Sequence, residues 1–250
     1  MNESIGGERL AVLIDADNAT AAVVDELLKE VAKYGTATVK RAYGDWTTTN
    51  LKSWKTVLHR HAIQPEQQFA YTRGKNATDS AMIIDAMDLL YSKNFTGFCI
   101  VSSDSDFTRL ATRIRQDGLL VFGFGEKKTP APFIAACDKF IFLEVLKPSP
   151  SRKPRPKKKK EEEGEASSVD RADLIDIVSD AVAAVAKDDG WAALSAVGSY
   201  ISKNNPSFDS RNHGFPRLGE LIESLEFVDA KYLETGGHKN MHVRLKSRSR

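Results

Sequence analysis

Three short segments carry side chains able to hold a divalent cation together. Asp15-Ala16-Asp17-Asn18 follows an apolar run, Ser102-Ser103-Asp104-Ser105-Asp106 follows another, and Thr78-Asp79 opens a helical pattern that also carries Asp85. Carboxylates brought close raise one another's pKa unless a cation neutralises them. All of these groups are hard oxygen donors, with no imidazole or thiolate among them, which favours Mg²⁺ or Mn²⁺. A cation held this way activates water and stabilises the leaving oxygen of a phosphodiester. The expected chemistry is metal-dependent hydrolysis of nucleic acid. Each acid also has a plainer reading alone. Asp15, Asp79, Asp104 or Asp106 can cap a helix or close a turn, and Asp85 falls on a helix flank towards solvent. The coincidence of three motifs at one sheet edge is what favours a site.

That edge follows from the elements. Leu10–Ile14 and Gly97–Val101 are short continuous apolar runs, as in strands buried on both faces. Further strands are expected at Ala37–Tyr43, around Gln68–Tyr71, at Leu119–Phe124 and at Phe140–Leu143. Helical spacing covers Ala21–Tyr34, Asn50–His61, Asp79–Tyr91 and Phe107–Gln116. Such alternation predicts an α/β fold, a mostly parallel sheet flanked by helices. Ligands of these sheets lie outside the carboxyl ends of the strands, where the acid pairs fall. Asp79 sits within the stripe of Met82, Ile83, Ala86 and Leu90. Deep in a core that would be costly, but from the first helical turn the carboxylate can reach over the sheet edge.

Basic and aromatic residues near the same edge are candidates to hold a nucleic-acid strand. They are Lys40, Arg41, Arg73, Lys75 and Arg109, with Trp46 and Tyr71 able to stack on bases. Lys75 and Arg109 are the favoured substrate contacts, although each taken singly is an ordinary surface residue.

The rest of the composition narrows the class. The net charge is +2, with hydrophobic and charged fractions of ordinary globular protein. No apolar run approaches the ~20 residues of a membrane helix, and Met1–Leu10 lacks a secretory pattern. Cys99 and Cys137 stand far apart in apolar settings, so both read as buried thiols in a reducing compartment, and a zinc site is not expected. The expected location is cytoplasmic. Residues 148–168 are proline-rich and highly charged, with a lysine run at 157–160. They cannot pack a core and read as a disordered linker, either a solvated tether or a non-specific phosphate-binding strip. The domains expected are therefore 1–147, the linker 148–168, and 169–246.

The acid motifs resemble the NYN family, a branch of the PIN-like ribonuclease superfamily, and within it the bacterial group related to the LabA protein. The matching residues are Leu13-Ile14-Asp15-Ala16-Asp17-Asn18, Lys75-Asn76-Ala77-Thr78-Asp79 followed by Ile83-Ile84-Asp85-Ala86, and Val101 to Phe107. The resemblance implies a PIN-like fold, one or two Mg²⁺ or Mn²⁺ ions, and RNA as substrate. It implies metal-ligand roles for Asp15, Asp79 and Asp104, with Asp106 assisting and Asn18 orienting the scissile phosphate or a ligand. Ser103 stands where family members often have glycine, a candidate substrate contact that narrows the approach to the metal.

Beyond the linker, Leu174, Ile177, Val178, Ala181, Val182 and Val185 form one apolar stripe. A second helix is expected to start at Trp191 and to end at Asn204-Asn205-Pro206, and a third spans Leu218–Leu225. Strands at Phe227-Val228 and His242–Leu245 complete a winged-helix (α+β) pattern. Gly190-Trp191-x-x-Leu194, Asn205-Pro206-x-Phe208-Asp209-x-Arg211, Gly214-Phe215 and the leucines at 218, 221 and 225 resemble the OST-HTH or LOTUS domain. That resemblance implies RNA binding, with Arg211, His213, Arg217 and Lys239 as contacts, or docking onto a protein partner. Three functions are thus weighed. The first is a metal-dependent endoribonuclease with an RNA-binding module, and the second a non-catalytic RNA-binding adaptor. The third is a phosphatase, because Asp15-Ala16-Asp17 is similar to the Asp-x-Asp motif of aspartate-nucleophile phosphatases.

Overall fold

A computed structural model describes residues 7–68, 77–146, 166–235 and 238–246. The chain divides into two compact units, Met1–Pro148 and Ser149–Arg250.

The first unit is built on six strands: β1 (Arg9–Asp15), β2 (Thr36–Gly44), β3 (Gln64–Gln67), β4 (Gly97–Val101), β5 (Leu120–Gly125) and β6 (Lys139–Phe142). They form one sheet in the order β3-β2-β1-β4-β5-β6, every pair parallel. The helices are α1 (Val24–Val31), α2 (Trp54–His61), α3 (Ala77–Tyr91), α4 (Thr108–Gln116), and the short α5 (Ala131–Ala135) and α6 (Leu143–Leu146). The sequence pattern did not point to the last two.

Strand periodicity explains the layering. Leu10, Val12 and Ile14 of β1, with Cys99 and Val101 of β4, face a core closed by α1, α2 and α6. Ala11 and Leu13, with Phe98 and Ile100, face a second core closed by α3, α4 and α5. Both faces of the central strands are covered, which is why they read as unbroken apolar runs. The alternation also sends Asp15 to the α3–α4 side. Strand order reverses between β1 and β4, so their carboxyl ends flank the crevice where such sheets bind ligands.

The third strand differs in its bounds from the sequence expectation. The strand expected at Gln68–Tyr71 is β3 at Gln64–Gln67, paired with β2 from Arg41↔Gln64 to Gly44↔Gln67; residues 69–71 lie outside the described residues. β3 is an edge strand, so its Gln-Pro-Glu-Gln sequence needs no apolar face, and Pro65 is tolerated there. Lys75, Arg73 and the charged segment 148–165 also lie outside the described residues.

The second unit contains α7 (Ala166–Val185), β7 (Ala192–Ala193), α8 (Leu194–Asn204), α9 (Leu218–Glu223), β8 (Val228–Thr235) and β9 (His238–Leu245). Leu174, Val178, Ala181 and Val182 of α7 are buried with Val197, Ile201, Leu221, Ile222 and Val243. The helix expected from Trp191 begins instead at Leu194. Ala192 pairs antiparallel with Val243, so the chain stays extended through the alanines. Leu194, Ala193's partner His242 and Val243 thereby bring the start of α8 against the hairpin, whose strands run further than the expected Phe227-Val228 and His242–Leu245. The result is a small winged-helix arrangement of helices and an antiparallel sheet, β7-β9-β8.

Candidate functional site

β1 and β4 deliver their acids to adjacent points because Ile14 pairs with Val101. Beyond β4 the chain turns sharply. Asp104 caps a 3₁₀ turn (Ser105–Phe107), its Oδ1 accepting from the Asp106 N–H at 2.9 Å. Capping is thus one role of Asp104, as the plain reading had it, yet the same residue faces α3. Carboxylate oxygens of Asp79, Asp104 and Asp106 lie within 4.8 Å of one another. Asp79 enters from the first turn of α3, as its place in the apolar stripe requires. The start of α3 is tied to the β1 end by the Thr78 hydroxyl, which donates to Asp17 Oδ2 at 3.0 Å.

Asp15 lies beneath this trio, only 1% exposed. Its Oδ2 accepts from the Asn18 side-chain amide at 2.8 Å and from the Ser102 hydroxyl at 2.8 Å, and its Oδ1 accepts from the Asn18 N–H at 3.2 Å. Asn18 therefore orients Asp15 directly. Burial pushes the Asp15 carboxyl up, partly offset by the hydrogen bonds from Asn18 and Ser102. Asp79 is pushed up to about 6, first by burial and then by the charges of Asp15, Asp104, Asp106 and Asp17. Four carboxylates raising a fifth is the electrostatic signature of a site that wants a cation. The donor set, all carboxylate oxygen, fits Mg²⁺ or Mn²⁺.

Asp85 is not part of the cluster. It accepts from the Arg41 guanidinium and from the Tyr43 hydroxyl, and so joins α3 to β2. The side-chain exposures of Arg41 and Asp85 are 24% and 23%, which corrects the solvent-facing placement of Asp85. Arg41 is thereby engaged within the fold, as is Lys40, whose Nζ donates to the His61 carbonyl at 2.5 Å. Trp46 donates its indole N–H to the Glu66 carbonyl and packs edge-on against Trp54. These three hold the β2–β3 end of the sheet.

Ser103 accepts the Glu126 N–H at 2.8 Å, tying the acid loop to the end of β5. Arg109 is exposed on α4, beyond Asp106, and lines a cavity between α3 and α4. The residue that sequence reasoning passed over is Ser102. Its hydroxyl donates to Asp15 and accepts the Asp104 N–H at 3.1 Å. The only hint was its place in the motif between a buried strand and the acid pair.

In the second unit the four expected contacts separate. Arg217 and Lys239 line one groove of ≈ 820 Å³ between α8, α9 and the hairpin. Arg211 lies outside that groove and pairs with Asp209 at 2.6 Å, and the His213 ring packs against Phe208 with centroids 5.9 Å apart. Among the described residues no helix is long and apolar enough to cross a membrane.

Comparison with known proteins bears on both units. The family model of the NYN domain matches residues 9–144, and that of the OST-HTH/LOTUS domain matches residues 167–239. No curated protein matches the chain. Among solved structures, a protein of unknown function from Vibrio parahaemolyticus is 18% identical with a TM-score of 0.47, covering 56% of this chain and 94% of its own. A solution structure from Chromobacterium violaceum is 43% identical with a TM-score of 0.27, covering 30% of this chain and 83% of its own. A third, from Nitrosomonas europaea, is 24% identical with a TM-score of 0.29, covering 41% and 90%.

Proposed function

The chain belongs to the NYN domain family and carries an OST-HTH/LOTUS domain after it, and from that membership we propose that it is a metal-dependent endoribonuclease whose second unit binds RNA. The observation that carries the reading is the convergence of Asp79, Asp104 and Asp106 within 4.8 Å at the point where strand order reverses.

In this reading Asp79, Asp104 and Asp106 hold Mg²⁺ or Mn²⁺, with Asp15 beneath them as a further ligand or as the negative charge that sets the site's potential. A divalent cation there supplies a lowered pKa for water and neutralises charge on the phosphoryl oxygens. Asn18 and Ser102 keep the Asp15 carboxylate in one orientation. Asp79, whose carboxyl burial and the neighbouring acids push up to about 6, is the ligand whose charge a bound cation would relieve most. Arg109 and Ser103 flank the approach of the strand, and Arg217 with Lys239 supplies a second RNA contact in the groove of the second unit. The partner is RNA, and the second unit is also the surface through which a protein partner would dock.

The phosphatase reading fits less well. An attacking Asp15 would need a free oxygen facing the phosphoryl group, whereas Asp15 is 1% exposed and both of its oxygens accept hydrogen bonds.

The deciding experiment incubates purified protein with labelled single-stranded RNA and matched DNA in Mn²⁺, Mg²⁺ or EDTA, beside the Asp104→Asn and Asp79→Asn variants. Metal-dependent RNA cleavage that both variants abolish supports the reading. Folded protein that binds RNA and leaves it uncut in every metal would sink it and favour an adaptor.

A further inference from the structure

α3 and α4 each begin at the acid cluster, α3 with Asp79 in its first turn and α4 just after Asp106. Both pack on the same face of the sheet, through Met82, Ala86 and Leu90 of one and Leu110, Ala111 and Ile114 of the other. Side by side they run away from the carboxylates. Between their outer surfaces lies an open cavity of ≈ 390 Å³, lined by Ile83, Met87, Arg109, Leu110, Arg113 and Gln116.

The lining is ordered in a way the core does not require. Ile83 and Met87 come four and eight residues after Asp79, on successive turns, and form an apolar floor. Arg109 and Arg113 come three and seven residues after Asp106 and form a basic rim. The two arginines are one turn apart, about 6 Å along the helix axis, a separation that suits neighbouring phosphates of one extended strand. No hydrogen bond or ion pair engages Arg109 among the described residues. Arg113 pairs with Asp117 at 2.7 Å, an exposed i,i+4 contact that solvent screens. At the far end, Tyr91 is 62% exposed, with its hydroxyl 3.5 Å from Arg113. An exposed aromatic beside an arginine is a stacking surface for a base.

We propose that the groove between α3 and α4 is the track that carries one arm of the RNA strand away from the acid cluster. Arg109 and Arg113 hold consecutive phosphates, an unstacked base lies on Ile83 and Met87, and the next stacks on Tyr91. The positive rim and the continuity with the carboxylates select a polyanionic strand over an apolar protein segment. The inference rests on RNA being the ligand of the first unit, but not on its cleavage.

The test uses the full chain with Asp104→Asn and a single-stranded RNA containing 4-thiouridine. After irradiation, the crosslinked peptides are mapped by mass spectrometry. Crosslinks within Ile83–Tyr91 or Arg109–Gln116 are expected, and Arg113→Glu should lower their yield several-fold without changing the yield in residues 166–246. If the wild-type protein leaves RNA uncut while these crosslinks persist, the track stands and only the hydrolytic reading falls. Crosslinks confined to residues 166–246, or none anywhere, overturn the track whether or not the wild-type protein cleaves RNA.

Discussion

The Ser102 hydroxyl donates to Asp15 Oδ2 at 2.8 Å, and Ser102 Oγ in turn accepts the Asp104 N–H at 3.1 Å. One buried hydroxyl thus couples the acid that ends β1 to the acid that follows β4. Ser102→Ala removes a bond to a buried carboxylate and should cost about 1–3 kcal/mol of stability. It should also raise the Asp15 pKa further, because a hydrogen bond that lowers it is lost. Chemical denaturation and Mn²⁺ titration calorimetry check both, with weaker Mn²⁺ binding as the expected outcome. Unchanged affinity would mean that Asp15 needs no second anchor.

Gly125 reaches the same loop from β5. A Cβ there would lie 2.6 Å from the Ser102 carbonyl oxygen and 2.6 Å from Thr129 Oγ1. Backbone cannot retreat cheaply, so Gly125→Ala should cost about 1–3 kcal/mol and displace the acid loop. The expected readout is a lowered Tm together with reduced Mn²⁺ affinity. A variant with wild-type Tm and affinity would show that the loop has slack.

Asp85 separates stability from metal binding. Replacing it by Ala strands the Arg41 guanidinium and the Tyr43 hydroxyl, at a cost of about 1–3 kcal/mol. Since Asp85 lies apart from the acid trio, Asp85→Asn should change Mn²⁺ affinity by no more than about twofold, whereas Asp79→Asn should lower it at least about tenfold. Parallel calorimetry of the two variants makes the comparison, and equal losses would place Asp85 in the metal site after all.

The raised Asp79 pKa predicts a pH dependence with a definite sign. The folded protein keeps a proton up to about pH 6, while the unfolded chain loses it in the ordinary carboxylate range. The stability from this group is therefore complete at low pH and is lost as pH rises through about 6. A cation displaces that proton, so Mn²⁺ should raise the Tm more at pH 7.5 than at pH 5. In EDTA, Asp79→Asn should stabilise the protein at pH 7.5 more than at pH 5. Thermal scans of both proteins at the two pH values test this, and the opposite order would exclude Asp79 as the titrating group.

In the second unit the basic residues should divide by function. Arg217→Ala and Lys239→Ala should weaken RNA binding and each lower the salt slope by about 1, with stability changes within about 0.5 kcal/mol. Arg211→Ala should instead cost about 1 kcal/mol, because it releases the half-buried Asp209 partner. Fluorescence anisotropy against salt, beside denaturation curves, distinguishes the classes. A loss of RNA affinity on Arg211→Ala at unchanged stability would reverse the assignment.

Local pattern alone determined where the acids sit along the chain and what surrounds them. The unbroken apolar runs of β1 and β4 announced strands covered on both faces, and strand-helix alternation placed their carboxyl ends together. The apolar stripe through Met82, Ala86 and Leu90 required α3 to turn Asp79 inward. The Asp209–Arg211 pair, two residues apart, likewise lies within reach of the local sequence. Other features depend on which distant segments meet. β3 needed the edge of β2 to become a strand, since its own four residues carry no apolar signal. Asp85 found Arg41 and Tyr43 more than forty residues away, which no helical periodicity could reveal. The Ser102 bridge exists because β1 and β4 are neighbours in register, and the α3–α4 groove because two helices leave one cluster on the same face. Period and composition specify which side chains an element presents, whereas the partner each one meets is set by how the elements pack.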